Sequence, residues 1–132
     1  TLIEVFINIG LVPDSGSSYF LPRLIGTAKA FELCTMGSRV KAKEALELGL
    51  INRVSSADQL DATVKEYTDY FAKAPTRSIG LIKKMLNKSS TSSLEEMLDY
   101  EAYCQETAGA THDYKEGVAA FLEKRKPNFV GK

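Results

Sequence analysis

The residues best suited to chemistry in this chain lie in one short run, Ile9-Gly10-Leu11-Val12-Pro13-Asp14-Ser15-Gly16, where a single carboxylate stands among apolar neighbours. A carboxyl group in an apolar cleft is desolvated, so its pKa rises and it becomes a usable base near neutral pH. The same residues support a plainer reading, in which Pro13-Asp14-Ser15-Gly16 is a turn and Asp14 caps the next helix, both being roles that Asp favours. A second run, Ala120-Phe121-Leu122-Glu123-Lys124-Arg125-Lys126-Pro127-Asn128-Phe129, sets three cations behind a helical segment. Cations there complement the helix dipole, and they are also suited to binding phosphate.

Other chemistries find little support. Cys34 and Cys104 are far apart and have no His or Cys close by in sequence, so neither a zinc site nor a disulfide framework is indicated, and no metal is expected. His112 is the only histidine, and no Gly-x-Ser-x-Gly elbow occurs, which argues against a serine hydrolase. His112 and Asp113 read as loop. Seventeen Lys and Arg balance seventeen Asp and Glu, removing the basic excess expected of a nucleic-acid binder. The charge is uneven, however: residues 94–113 hold six acids and no base, and residues 114–132 hold five bases and two acids.

At 132 residues, with 44% hydrophobic and 26% charged residues, the chain is one domain's worth and is expected to fold around a core. It has no apolar run of membrane-spanning length and no signal-peptide pattern, so a soluble cytoplasmic location is expected.

The elements that must position Asp14 are mostly helical. Residues 1–8, rich in β-branched and aromatic types, read as the end of a strand and its exit loop, the strand's partners belonging to an upstream part, so the chain is expected to be a fragment. Helices are expected at Ser17–Leu24, with Pro22 limiting its regularity, and at Thr27–Met36, capped by Thr27 and stopped by Gly37. Ser38–Val40 reads as extended, Ala42–Leu48 as helix, and Leu50–Val54 as a second extended piece. A cap at Ser55–Asp58 leads into Gln59–Lys73, whose apolar residues Leu60, Val64, Tyr67 and Phe71 step by four, three and four along one helical face. Pro75 separates it from Thr76–Lys88, which carries Ile79, Ile82 and Leu86 on one side and Lys83, Lys84 and Lys88 on its solvated face. Ser93 and Glu96 form a capping box for Leu94–Thr107, and Asp113 with Glu116 forms a second for Tyr114–Lys124. Six or seven helices with one or two very short strands follow, a mainly α chain hung on a sheet it does not itself contain.

The order of three motifs, Ile9-Gly10-Leu11-Val12-Pro13-Asp14-x-Gly16, Ala42-x-Glu44-Ala45-x-x-x-Gly49-Leu50-Ile51 and Glu116-Gly117-x-x-Ala120-Phe121-x-Glu123-Lys124-Arg125, resembles the enoyl-CoA hydratase/isomerase (crotonase) family. The match spans essentially the whole chain but only the C-terminal half of a family member. The resemblance implies the helical part of an α/β fold whose missing N-terminal half is a spiral of ββα turns. Residues 1–16 would end that spiral with the active-site turn, and residues 17–132 would form the helical oligomerisation region. It implies an acyl-CoA substrate, no separate cofactor, and a trimer or hexamer of identical chains.

Gly10 aligns with the family's glycine before the active-site turn. A hydratase usually carries Glu four residues earlier, where this chain has Phe6, and Gly where it has Asp14. Asp at this place resembles the dienoyl-CoA and ring-opened phenylacetyl-CoA isomerases. The implied reaction is proton transfer between acyl carbons by Asp14 in fatty-acid or phenylacetyl-CoA degradation, with Phe6, Leu11, Val12 and Pro13 shaping the acyl pocket. Phe121 and Lys124 match positions that meet the nucleotide end of CoA in a neighbouring subunit. Two alternatives stand beside this: an aryl-CoA dehalogenase with Asp14 as nucleophile, and a catalytically inactive assembly domain, in which Asp14 would be hydrated and idle.

Overall fold

The computed structural model describes residues 1–132, which form two compact units, Thr1–Asp58 and Gln59–Lys132. In the first, strand β1 is only Leu2–Ile3, paired antiparallel with β2, Arg39–Val40, in the register Leu2 opposite Val40. The strand end is two residues long, and where its exit loop is expected the chain forms a 3-10 turn, Val5–Ile9. The β propensity of those residues holds only where a partner strand is present, and the two residues of β2 supply it for two positions alone.

Gly10, at φ 73°, ends the turn; the Leu11 amide donates to the Phe6 carbonyl and the Gly10 amide to Ile7, both at 3.0 Å. This pair of bonds is the Schellman closure, in which the left-handed residue is usually glycine. Helix α1, Ser17–Ile25, runs through Pro22, which has no amide to give to the carbonyl four residues back. Helix α2, Thr27–Met36, has the expected bounds, but its N-cap is Gly26, and Thr27 makes no capping bond. Helix α3, Ala42–Glu47, follows β2. Leu33, Val40 and Ala45 form a small core with Ile25, Leu48, Leu50 and Ile51 packed on it. Leu50–Val54 forms no strand: Leu50 and Ile51 are used in this core rather than in a ladder.

A 3-10 turn at Ala57–Gln59 leads to α4, Leu60–Ala72, which starts without a side-chain cap. Its stripe of Leu60, Val64, Tyr67 and Phe71 shares one face as the spacing predicts, yet all four are exposed. Helices α5, Thr76–Ser89, α6, Leu94–Gly109, and α7, His112–Leu122, complete the second unit. Leu81, Met97, Cys104 and Ala120 are buried there, while Ile82 and Leu86 of the expected α5 stripe are exposed. The Ser93 capping box forms in full: the Glu96 amide donates to Ser93 Oγ at 3.2 Å and the Ser93 amide to Glu96 Oε2 at 2.7 Å. The Ser93 amide and then the Ser93 hydroxyl, both donating to Oε2, hold the Glu96 carboxyl below its ordinary pKa. An apolar groove of about 940 Å³ is lined by Leu81, Met85, Met97, Phe121 and Phe129 among others.

The expected second capping box does not form. The N-cap of α7 is Thr111, whose Oγ1 accepts from the Tyr114 amide at 3.1 Å, so His112 and Asp113 lie in the helix rather than in a loop. Asp113 and Glu116 hold the C-terminal tail instead. No helix is long and apolar enough to cross a membrane.

Candidate functional site

Asp14 begins a tight turn. Its carbonyl accepts from the Ser17 amide at 2.9 Å, and the two residues between have positive φ, Ser15 at 52° and Gly16 at 85°. Those are the φ signs of a type I′ turn, in which glycine sits without strain and serine does not. Gly16 is required twice over, since a Cβ there would lie 3.0 Å from the Phe20 ring. The turn reading of the sequence therefore holds, whereas the capping one does not: the N-cap of α1 is Gly16, with no side-chain bond. The Asp14 side chain is exposed and receives one hydrogen bond, from Ser15 Oγ to Oδ1 at 2.9 Å. Within this chain, then, it is not enclosed in an apolar cleft.

The apolar residues named with Asp14 are set by the backbone leading to it. Phe6 lies half-buried in the 3-10 turn and Pro13 is half-buried, while Leu11 and Val12 are exposed, Val12 at 77%. Leu11 and Val12 thus offer open apolar surface beside the turn. Elsewhere in the first unit, Glu4 Oε2 is buried without a hydrogen-bond partner, and burial with the nearby Glu4 charge pushes the Cys34 thiol up.

In the second unit Phe121 is 82% exposed near the end of α7, and Lys124 follows it in the left-handed conformation at φ 55°. The Lys124 amide donates to the Phe121 carbonyl at 3.2 Å and the Arg125 amide to Ala120 at 3.0 Å, closing the helix. Arg125, the next cation, is already engaged. Its Nη1 and Nη2 grip Glu116 Oε1 and Oε2 at 2.6 and 2.9 Å, and its Nε reaches Glu123 at 2.6 Å. The Asn128 amide adds a bond to Glu116 at 2.7 Å. The Arg125 fork first, and the Asn128 amide second, hold the Glu116 carboxyl down at about 2, and the two carboxylates raise Arg125.

One turn earlier, Asp113 is 2% exposed and accepts from the Val130 and Gly131 amides, each at 2.8 Å. Burial alone would raise its pKa, but these amides and His112 outweigh it and hold it below its usual value. The sequence signal for this clasp was the i, i+3 carboxylate spacing, which a capping box shares. For the strained Ser15 there was no signal beyond its place between Asp and Gly.

The structure therefore brings Asp14 together with Leu11, Val12 and Pro13 in one unit, and Phe121 with Lys124 in the other. A family model described as enoyl-CoA hydratase/isomerase matches residues 3–132. The 1,2-epoxyphenylacetyl-CoA isomerase of Escherichia coli is 40% identical over 98% of this chain and 50% of its own length. The trans-2-decenoyl-[acyl-carrier-protein] isomerase of Streptococcus mutans is 35% identical over 98% of this chain and 49% of its own. Among solved structures, an enoyl-CoA hydratase subunit from Geobacillus kaustophilus superposes with a TM-score of 0.91 at 38% identity, covering 97% of this chain and 50% of that one. The chain spans about half the length of these relatives, and its helices correspond to the helical C-terminal part of the crotonase fold. On the strength of the match over nearly all its residues, the chain belongs to the enoyl-CoA hydratase/isomerase family.

Proposed function

We propose that the protein carrying this chain is an acyl-CoA isomerase in which Asp14 removes a proton from one acyl carbon and returns it to another. The observation that carries this reading is the Asp14 turn, which presents a carboxylate receiving only the Ser15 hydroxyl on a backbone strained at Ser15. Strain of this kind is kept where the surroundings over-determine it, commonly at reactive sites. Proton removal beside a thioester carbonyl develops an enolate, whose charge backbone N–H donors stabilise. A single carboxylate suffices to carry the proton across. Adding water needs a second acid, and Phe6 occupies the place where a hydratase of this family carries it. Two relatives named as isomerases support the reading, although others of 32 to 38% identity are named as hydratases.

In this reading Phe6, Leu11, Val12 and Pro13 face the acyl chain, and Phe121 and Lys124 receive the nucleotide of CoA, an aromatic face and a point charge suited to adenine and phosphate. No cofactor beyond the substrate's own CoA is required, and fatty-acid or phenylacetyl-CoA breakdown in the cytoplasm is the setting. The exposed apolar residues of the second unit, Leu86, Phe121 and Leu122 among them, support assembly into a trimer or hexamer. Sedimentation of the full-length protein tests that.

The test of the chemistry is an unsaturated acyl-CoA incubated with the full-length protein in heavy water. Isomerisation yields a shifted double bond with no water added, the acceptor carbon carrying deuterium only to the extent that Asp14 exchanges its proton with solvent before returning it, and Asp14→Asn abolishes the reaction. A product heavier by one water would make the protein a hydratase, and near-normal turnover by Asp14→Asn would remove Asp14 from the chemistry.

A further inference from the structure

Three left-handed helix ends in this chain are glycines: Gly10 at φ 73°, Gly37 at 60° and Gly49 at 76°. After α3 the closure is the Schellman pair, Leu50 amide to Ala45 at 2.9 Å and Gly49 amide to Leu46 at 3.1 Å. The end of α7 uses the same pair of bonds, yet its left-handed residue is Lys124. A Cβ makes that conformation costly, so a lysine persists there only where its surroundings impose it.

The surroundings are the clasp. Glu116 fixes Arg125, the residue after Lys124, through Nη1 and Nη2 of its guanidinium, and fixes Asn128 through its backbone amide. Asp113 takes the Val130 and Gly131 amides, and its own amide donates to the Lys132 carbonyl at 3.0 Å. The tail is packed closely enough that a Cβ on Gly131 would lie 2.5 Å from Thr76 Oγ1 of α5. Arg125 is thereby neutralised, while the Lys124 ammonium has no carboxylate partner.

We propose that Glu116 and Asp113 are positioning residues, which pin the tail against α7 and so hold Lys124 left-handed beside Phe121 as a preformed site for the phosphate and base of a nucleotide. This rests on the CoA reading given above and adds how the site is made. Arg125 is in this view a strut rather than a phosphate ligand: its fork matches the Glu116 carboxylate, and its charge is already met.

The experiment compares two thioesters on the full-length enzyme, an acyl-CoA and the corresponding acyl-pantetheine, which lacks the nucleotide. Glu116→Gln keeps the shape but takes the carboxylate from the Arg125 fork, leaving only the Nε contact to Glu123. It raises KM for acyl-CoA about three- to tenfold, as loss of one well-ordered charged contact does, with kcat nearly unchanged and acyl-pantetheine kinetics unaffected. Arg125→Lys, which retains the charge but not the fork, gives the same split; should Glu116→Gln fail to fold, this variant decides. Lys124→Gly raises KM for acyl-CoA. If Lys124→Gly raises KM and neither clasp variant does, the positioning inference fails while the CoA reading stands. If Lys124→Gly leaves KM unchanged, both fall. Equal loss with both thioesters would mean general loosening of the helices and would overturn the positioning role.

Discussion

Two carboxylates near helix starts meet opposite fates in the two units. Asp14, in the first, is exposed and receives a single hydroxyl; Asp113, in the second, is buried and receives two amides. Both are short acids beside a helix start, so residue type alone does not separate them. What separates them is where their lone pairs go. A carboxylate whose lone pairs are filled by fixed N–H donors is held as the anion and cannot serve as a base without breaking the structure it holds. One that is left open keeps lone pairs free for a further partner.

Replacing each acid by a neutral residue is the strongest way to break this contrast. Asp14→Asn in the full-length protein lowers isomerisation by about a hundredfold or more, the usual contribution of a general base. Its melting temperature stays within about a degree, because exposed positions contribute little to stability. Asp113→Ala does the reverse. It leaves the Val130 and Gly131 amides without acceptors, and melting falls by roughly 5 °C or more. Calorimetry beside an acyl-CoA assay reads both. A large stability loss with Asp14→Asn would show that the open carboxylate is structural after all.

The same contrast explains what was legible in the sequence. The bounds of α2, the stop at Gly37 and the Ser93 capping box came from local rules, since propensity, a left-handed glycine and an i, i+3 acceptor act within one turn. The Asp113–Glu116 pair obeys the same spacing but bonds to residues 125–131, a contact made by the chain folding back, and spacing carries no record of that. Where the first strand gives way to its exit loop is not legible for a related reason: β propensity needs a partner, which β2 supplies only to Leu2 and Ile3, and Val5–Ile9 closes on itself. Asp14 was legible because a Pro-Asp-Ser-Gly run is a turn in almost any context, although that it does not cap α1 became visible only from the Gly16 backbone. The proposed CoA contacts Phe121 and Lys124 came from resemblance alone; the left-handed backbone of Lys124 is something no periodicity predicts.

Acid titration sharpens the clasp side of the comparison. Glu116 has a folded pKa of about 2 against an ordinary 4.5. Between those values the unfolded chain binds a proton that the folded one does not, so stability falls as pH falls. The contribution is complete above about 4.5 and is lost as pH approaches 2, with Asp113 adding in the same direction. Melting temperatures measured down this range fall more steeply for the native sequence than for Glu116→Gln. Equal slopes would mean that the Arg125 fork does not persist in solution.

The smallest expected effect tests whether Lys124 is strained at all. Replacing it by glycine removes a left-handed cost of about 1–2 kcal/mol. Against this stands the greater freedom of glycine in the unfolded chain, worth about 0.4–1 kcal/mol. The difference favours the variant, so Lys124→Gly is expected to be more stable by about 0.5 kcal/mol, a rise of a few degrees or less in melting temperature. A protein made more stable by losing the residue, and poorer at holding acyl-CoA for the same reason, has kept that lysine for its charge rather than for the fold. A fall in melting temperature would show instead that the lysine side chain contributes to packing, and the likeness drawn between this helix end and those at Gly10 and Gly49 would fail.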